Sequence, residues 1–161
     1  GPVMQQLGIL SLEIQTMPKT YGVAFAQLHQ NPYRSVATIF THDMPTLRLW
    51  WKENPERTQL YYNTVLEHDG KAPNELPGWL CEEIVAHHLK SPSMLCLISL
   101  QDWLSIDDDL RNPSAEEERI NVPANPRHYW RYRMHLSVAD LKNSKLLNER
   151  IGTLISHSGR S

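Results

Sequence analysis

Three short runs of mostly apolar residues, Ile9–Gln15, Val36–Thr41 and Met94–Leu100, are separated by segments whose apolar residues recur at helical spacing. This alternation constrains the fold more than any other feature, because a strand reaches a parallel neighbour only through a crossover, and helices make that crossover. An α/β chain with a parallel sheet follows. Three strands can neither close a barrel nor cover both faces of a sheet, so the pattern reads as an arc of a larger α/β structure.

Taken in order, Val3–Gly8 reads as the last turn of a helix with Gly8 just past its end. The first strand then places Leu10, Leu12 and Ile14 on one face. Met17–Arg34, broken by Pro18, Gly22 and Pro32, is a long connection. Thr46–Lys52 reads as helical, and Asn54 with Pro55 restarts a helix carrying Leu60, Tyr61, Val65 and Leu66. Trp79–Leu89 is an amphipathic helix, and Met94–Leu100 has the continuity of a strand buried on both faces. After Asp102 the alternation stops. Asp107–Asp109 and Glu116–Glu118 read as solvated loop, and Asn121–Pro126 as extended backbone. Arg127–His135 reads as a packed edge segment, with Trp130, Tyr132 and Met134 on one face and Arg131, Arg133 and His135 on the other. Asp140–Ser156 closes the chain as one amphipathic helix. We therefore expect one domain over residues 1–161, of which 103–161 is an irregular segment with final helices. Gly1-Pro2 has the form of a protease-cleavage remnant, and the start in mid-helix reads as a piece of something longer.

A composition of 40% hydrophobic residues with a net charge of -2 is that of an ordinary globular chain. No run of about 18 apolar residues is present, so no membrane span is expected. Near-neutral charge argues against nucleic acid as a partner, even though Arg127–His135 mixes basic and aromatic residues. Cys81 and Cys96 lie in apolar contexts without paired spacing, as buried thiols of a reducing, cytoplasmic compartment would. His87 and His88 are adjacent on a helix, point to different faces, and cannot share a metal ion.

The candidate chemistry sits where strands stop on polar residues: Glu13 and Gln15, then Thr41, His42 and Asp43, then Gln101 and Asp102. Asp43 has two readings. It can cap the helix that begins after Pro45, or it can project into a pocket. Trp50, Trp51, Trp103 and Tyr33 lie close by in sequence, and carboxylates beside aromatic rings suit a sugar.

The segment Thr41-His42-Asp43-Met44-Pro45-Thr46-Leu47-Arg48 with Trp50-Trp51 resembles the 4-α-glucanotransferases (amylomaltases, disproportionating enzymes) of glycoside hydrolase family 77. So do Leu7–Gln15 with Met17-Pro18-Lys19, Glu118–Pro123 and Trp130–Met134, and Ala124-Asn125-Pro126 resembles the branch with the plant cytosolic enzyme. The resemblance implies the C-terminal part of a (β/α)₈ barrel and a retaining transfer of α-1,4-glucan segments, with maltodextrin, starch or glycogen as partner and no cofactor. It implies that Asp43 is the catalytic carboxylate that stabilises the transition state, and that Thr41, His42, Gln101, Asp102 and Asn121 bind substrate. The family's nucleophilic Asp and acid/base Glu precede the part seen here, so the isolated chain is expected to be inactive. The alternative is a non-catalytic glucan-binding or interaction fragment. In either case unpaired strand edges favour self-association.

Overall fold

The three runs form a parallel sheet of order β1-β2-β3, made of β1 (Ser11–Ile14), β2 (Ser35–Thr38) and β3 (Leu95–Leu97). The computed structural model describes residues 2–160, so Gly1 of the suspected remnant lies outside them. Ser11 pairs with Ser35 and Ile14 with Thr38, and Val36 and Thr38 pair with Leu95 and Leu97. The amino ends are pinned by a buried polar knot in which Ser35 Oγ donates to Pro32 O (2.5 Å) and meets Ser93 Oγ at 2.8 Å, while Asn31 Nδ2 donates to the same Ser93 oxygen at 3.1 Å. Fixing that end fixes the register, and the register fixes where each strand stops.

Helix α1 (Pro2–Leu7) ends at Gly8, whose φ of +69° is the left-handed conformation glycine adopts freely. The connection to β2 contains a short 3₁₀ turn, Leu28–Gln30. Helices α2 (Leu47–Glu53) and α3 (Pro55–Thr64) follow β2, and α4 (Gly78–Leu89) leads to β3. Leu80, Cys81, Ile84, Val85 and Leu89 form the inner face of α4, and four of these five are fully enclosed. Burial of each such aliphatic side chain contributes about 1.5–3 kcal/mol. Pro77 cannot cap α4 with a side chain; instead the Gly78 N–H donates to the Asp108 carboxylate at 3.0 Å. Glycine is needed there for space, because a Cβ would stand 2.7 Å from Ile106 O.

The central core joins α2, α3 and α4. Trp50 packs against Tyr61 and Phe25 with edge-on rings, and Trp51 donates its Nε1–H to Pro73 O at 2.8 Å. Both tryptophans are buried, so neither is the sugar platform that their place in the sequence suggested.

The structure departs from expectation in its later half. The third strand is three residues long, and Leu95 and Leu97 are 44% and 59% exposed. It is an open sheet edge rather than a strand buried on both faces. Ser99 ends it by accepting a hydrogen bond from Asp102 N, which starts α5 (Leu100–Leu104). Gln101 and Asp102 therefore lie in the first turn of a helix, not on a strand end. The first strand likewise leaves Leu12 exposed.

Asn121–Pro126 is turned rather than extended, since Asn125 N–H donates to Val122 O and Asn125 Oδ1 accepts from Arg127 N. The single final helix is two. Helix α6 (Val138–Asn143) starts in a capping box between Ser137 and Asp140, and α7 (Lys145–His157) restarts after Ser144. Helix α7 is fastened to α4 by Arg150, which holds the Glu82 carboxylate and Ile106 O. The Arg160 guanidinium donates to the carbonyls of Leu89 and Ser91 at the end of α4, where the helix dipole favours a cation. Cys81 is buried and Cys96 half-buried, and burial pushes the Cys81 thiol up to about 12. Among the described residues no helix is long and apolar enough to cross a membrane, and no metal-binding cluster occurs.

Candidate active site

The site begins where β2 runs out. Ile39 and Phe40 are buried and anchor the strand end, and the chain turns through a bond from Met44 N to Thr41 O at 3.0 Å. That turn presents His42 and Asp43 with side chains 56% and 53% exposed. His42 Nε2 lies 3.4 Å from Asp43 Oδ1, and Asn121 Nδ2 donates to the same oxygen at 2.7 Å.

Asp43 does not cap α2. The N-cap residue is Thr46, and the Leu47 N–H at the helix start donates to Asp102 Oδ1 at 2.9 Å. With the helix start served by another carboxylate, the structural duty that Asp43 could have had is already filled.

Asp102 is 1% exposed, and burial pushes its carboxyl up to about 6 against the opposing pull of its hydrogen bonds from Leu47 and Ser99. Gln101 is also buried, its Nε2 donating to Glu118 O at 3.4 Å. Together with Thr41, His42, Ser99 and Glu118 these residues line a cleft of about 110 Å³. Asp43 and Asn121 adjoin its lining through their neighbours His42 and Ile120. The structure thus brings the six expected site residues to one end of the sheet, with Asp43, His42 and Asn121 towards solvent and Gln101 and Asp102 in the wall. The other strand-end candidates go elsewhere: Glu13 takes the Lys19 ammonium at 2.5 Å, and Gln15 accepts from Tyr61 Oη at 2.7 Å inside the core.

Sequence reasoning missed two features. Glu118, expected in a solvated acidic run, is buried; its Oε1 takes the Arg48 guanidinium at 2.5 Å and its Oε2 accepts from Thr46 Oγ1 at 2.9 Å. Burial raises the Glu118 carboxyl, and the Arg48 charge opposes that. The pair spans 70 residues, and no local spacing signals it. The second is Trp130, whose ring centroid lies 5.3 Å from that of His42.

The family described as 4-alpha-glucanotransferase matches residues 1–138. The chain is 39% identical to the 4-alpha-glucanotransferase DPE2 of Oryza sativa subsp. japonica over 160 residues, covering 99% of this chain and 17% of the rice protein. It is 25% identical to the 4-alpha-glucanotransferase of Chlamydia trachomatis, covering 95% of this chain and 32% of that protein. The amylomaltase from Streptococcus agalactiae, solved in complex with acarbose, superposes with a TM-score of 0.72 at 16% identity, over 99% of this chain and 29% of that one. The chain therefore spans between about a sixth and a third of these relatives, and its sheet is an arc of the (β/α)₈ barrel. On the family match and the rice relative, the chain belongs to the 4-alpha-glucanotransferase family.

Proposed function

We propose that this chain supplies one catalytic carboxylate and part of the sugar-binding wall of an enzyme that transfers α-1,4-glucan segments by a retaining mechanism. The observation that carries this is Asp43, solvent-facing at a strand's carboxyl end and relieved of capping duty by Asp102. Among the described residues, His42 and Asn121 both meet its carboxylate at Oδ1, which leaves Oδ2 for a sugar hydroxyl. Its negative charge stabilises the positive charge that develops at the anomeric carbon in an oxocarbenium-like transition state. Asn121 holds the carboxylate in place, and His42 hydrogen-bonds the same sugar. Thr41 and Gln101 contribute hydroxyl and amide groups at the cleft. Asp102 acts from the wall, fixing the start of α2 below the turn.

A retaining transfer also needs a nucleophile and an acid/base group. These belong to preceding parts of the barrel, so these 161 residues alone do not turn over glucan. The exposed edges of β1 and β3 are the places where further strands pair, and without them the chain self-associates. One buried and one half-buried free thiol support a cytoplasmic location.

The test is maltotriose disproportionation followed by glucose release, on the full-length polypeptide and its Asp43→Asn form. Activity in the first and a loss of at least about a hundredfold in kcat in the second are expected. Turnover by the 161-residue chain alone, or an Asp43→Asn enzyme of normal kcat, refutes the assignment.

A further inference from the structure

We infer that Trp130 is a stacking platform for a glucosyl ring adjoining the one Asp43 grips; this deepens the glucan-binding reading above and rests on it. The alternating pattern of Arg127–His135 places Trp130 on the same face as Tyr132 and Met134. Tyr132 and Met134 are indeed half-buried, but Trp130 is 63% exposed. The indole has left the packed face of its own segment and lies against His42, with the ring planes tilted by 51°.

The segment from residue 121 to 130 therefore reaches the His42-Asp43 turn twice. Asn121 arrives with an amide on the Asp43 carboxylate, and Trp130 arrives with an exposed indole tilted against the His42 ring. A ligand recognised by hydrogen bonds alone has no use for an exposed indole there. A pyranose does, because it carries hydroxyls at its rim and a C–H face that packs on an aromatic ring. Trp50 and Trp51 are buried in the core, and the face of Tyr129 is taken by the Arg131 guanidinium at 5.0 Å from its centroid.

The full-length polypeptide is assayed as wild type, Trp130→Ala and Trp130→Phe, by maltotriose disproportionation and by calorimetric titration with maltoheptaose. Trp130→Ala is expected to raise KM and Kd by about tenfold with kcat changed less than about threefold, and Trp130→Phe to restore most of the loss. Unchanged KM and Kd in Trp130→Ala overturns the platform. So does a fall confined to kcat, or a Phe variant no better than Ala, which marks a merely structural residue. A wild type that binds maltoheptaose without transferring sinks the transferase reading alone, since the Kd comparison still decides the platform; absence of binding sinks both.

Discussion

Replacing Arg48 by Met leaves the Glu118 carboxylate enclosed without its cation. The two side chains are 11% and 3% exposed, and they meet at 2.5 Å. Removing one partner of such a pair costs about 3–5 kcal/mol, because the survivor is buried and uncompensated. Glu118 has an escape, which is to take up a proton. From an ordinary glutamate value of 4.5, neutralisation costs about 3 kcal/mol at pH 7 and about 1 kcal/mol at pH 5. The loss in Arg48→Met should therefore shrink by about 2.7 kcal/mol between those pH values. For a chain of this length a loss of about 3 kcal/mol lowers Tm by roughly 6–12 °C. Urea unfolding followed by circular dichroism at both pH values measures it, and adding Glu118→Gln should recover the pH-dependent part. A loss below about 1 kcal/mol, an equal loss at pH 5 and pH 7, or a double variant no more stable than the single one refutes the argument.

Burial raises the Asp102 carboxyl from 3.8 to about 6, so between these values the folded state keeps a proton that the unfolded state releases. Stability from this group is thus full below pH 4 and is lost as pH rises through 6, by about 3 kcal/mol. His88, buried and held down at about 4, works in the opposite sense, its contribution being lost as pH falls from 6.5. Asp102→Asn keeps an oxygen for the Leu47 N–H, so its urea midpoint should exceed wild type at pH 7 and fall more steeply on acidification to pH 4; a constant difference between the two proteins disproves this. Asn121→Ala removes the amide from Asp43 Oδ1 at an exposed site. We expect stability within about 1 kcal/mol of wild type and a roughly tenfold fall in kcat of the full-length enzyme, and normal kcat would show that the amide positions nothing.

The order of elements was legible because it depends on local signals. Pro55 after Asn54, the run of β-branched and apolar residues in β2 and the apolar face of α4 each act within a few residues. The reading failed where partners are distant or absent. Met94–Leu100 has the composition of a buried strand, but the chain alone leaves β3 as an edge, and Ser99 captures the residues after Ile98 for a helix. Asp43 and His42 could be picked out from the polar triplet closing a strand, while whether Asp43 caps the helix depended on Asp102, 55 residues from the helix it serves. Trp130 misled because alternation reports which face a residue would share, not whether a ring nearby draws it away.

The bond from Asn121 to Asp43 joins residues 78 positions apart. During synthesis the sheet, α2, α3 and α4 all precede that amide, so the scaffold can emerge and pack while its carboxylate is still unheld. The turn carrying Asp43 is completed from behind, by a residue made only after all three strands of the sheet.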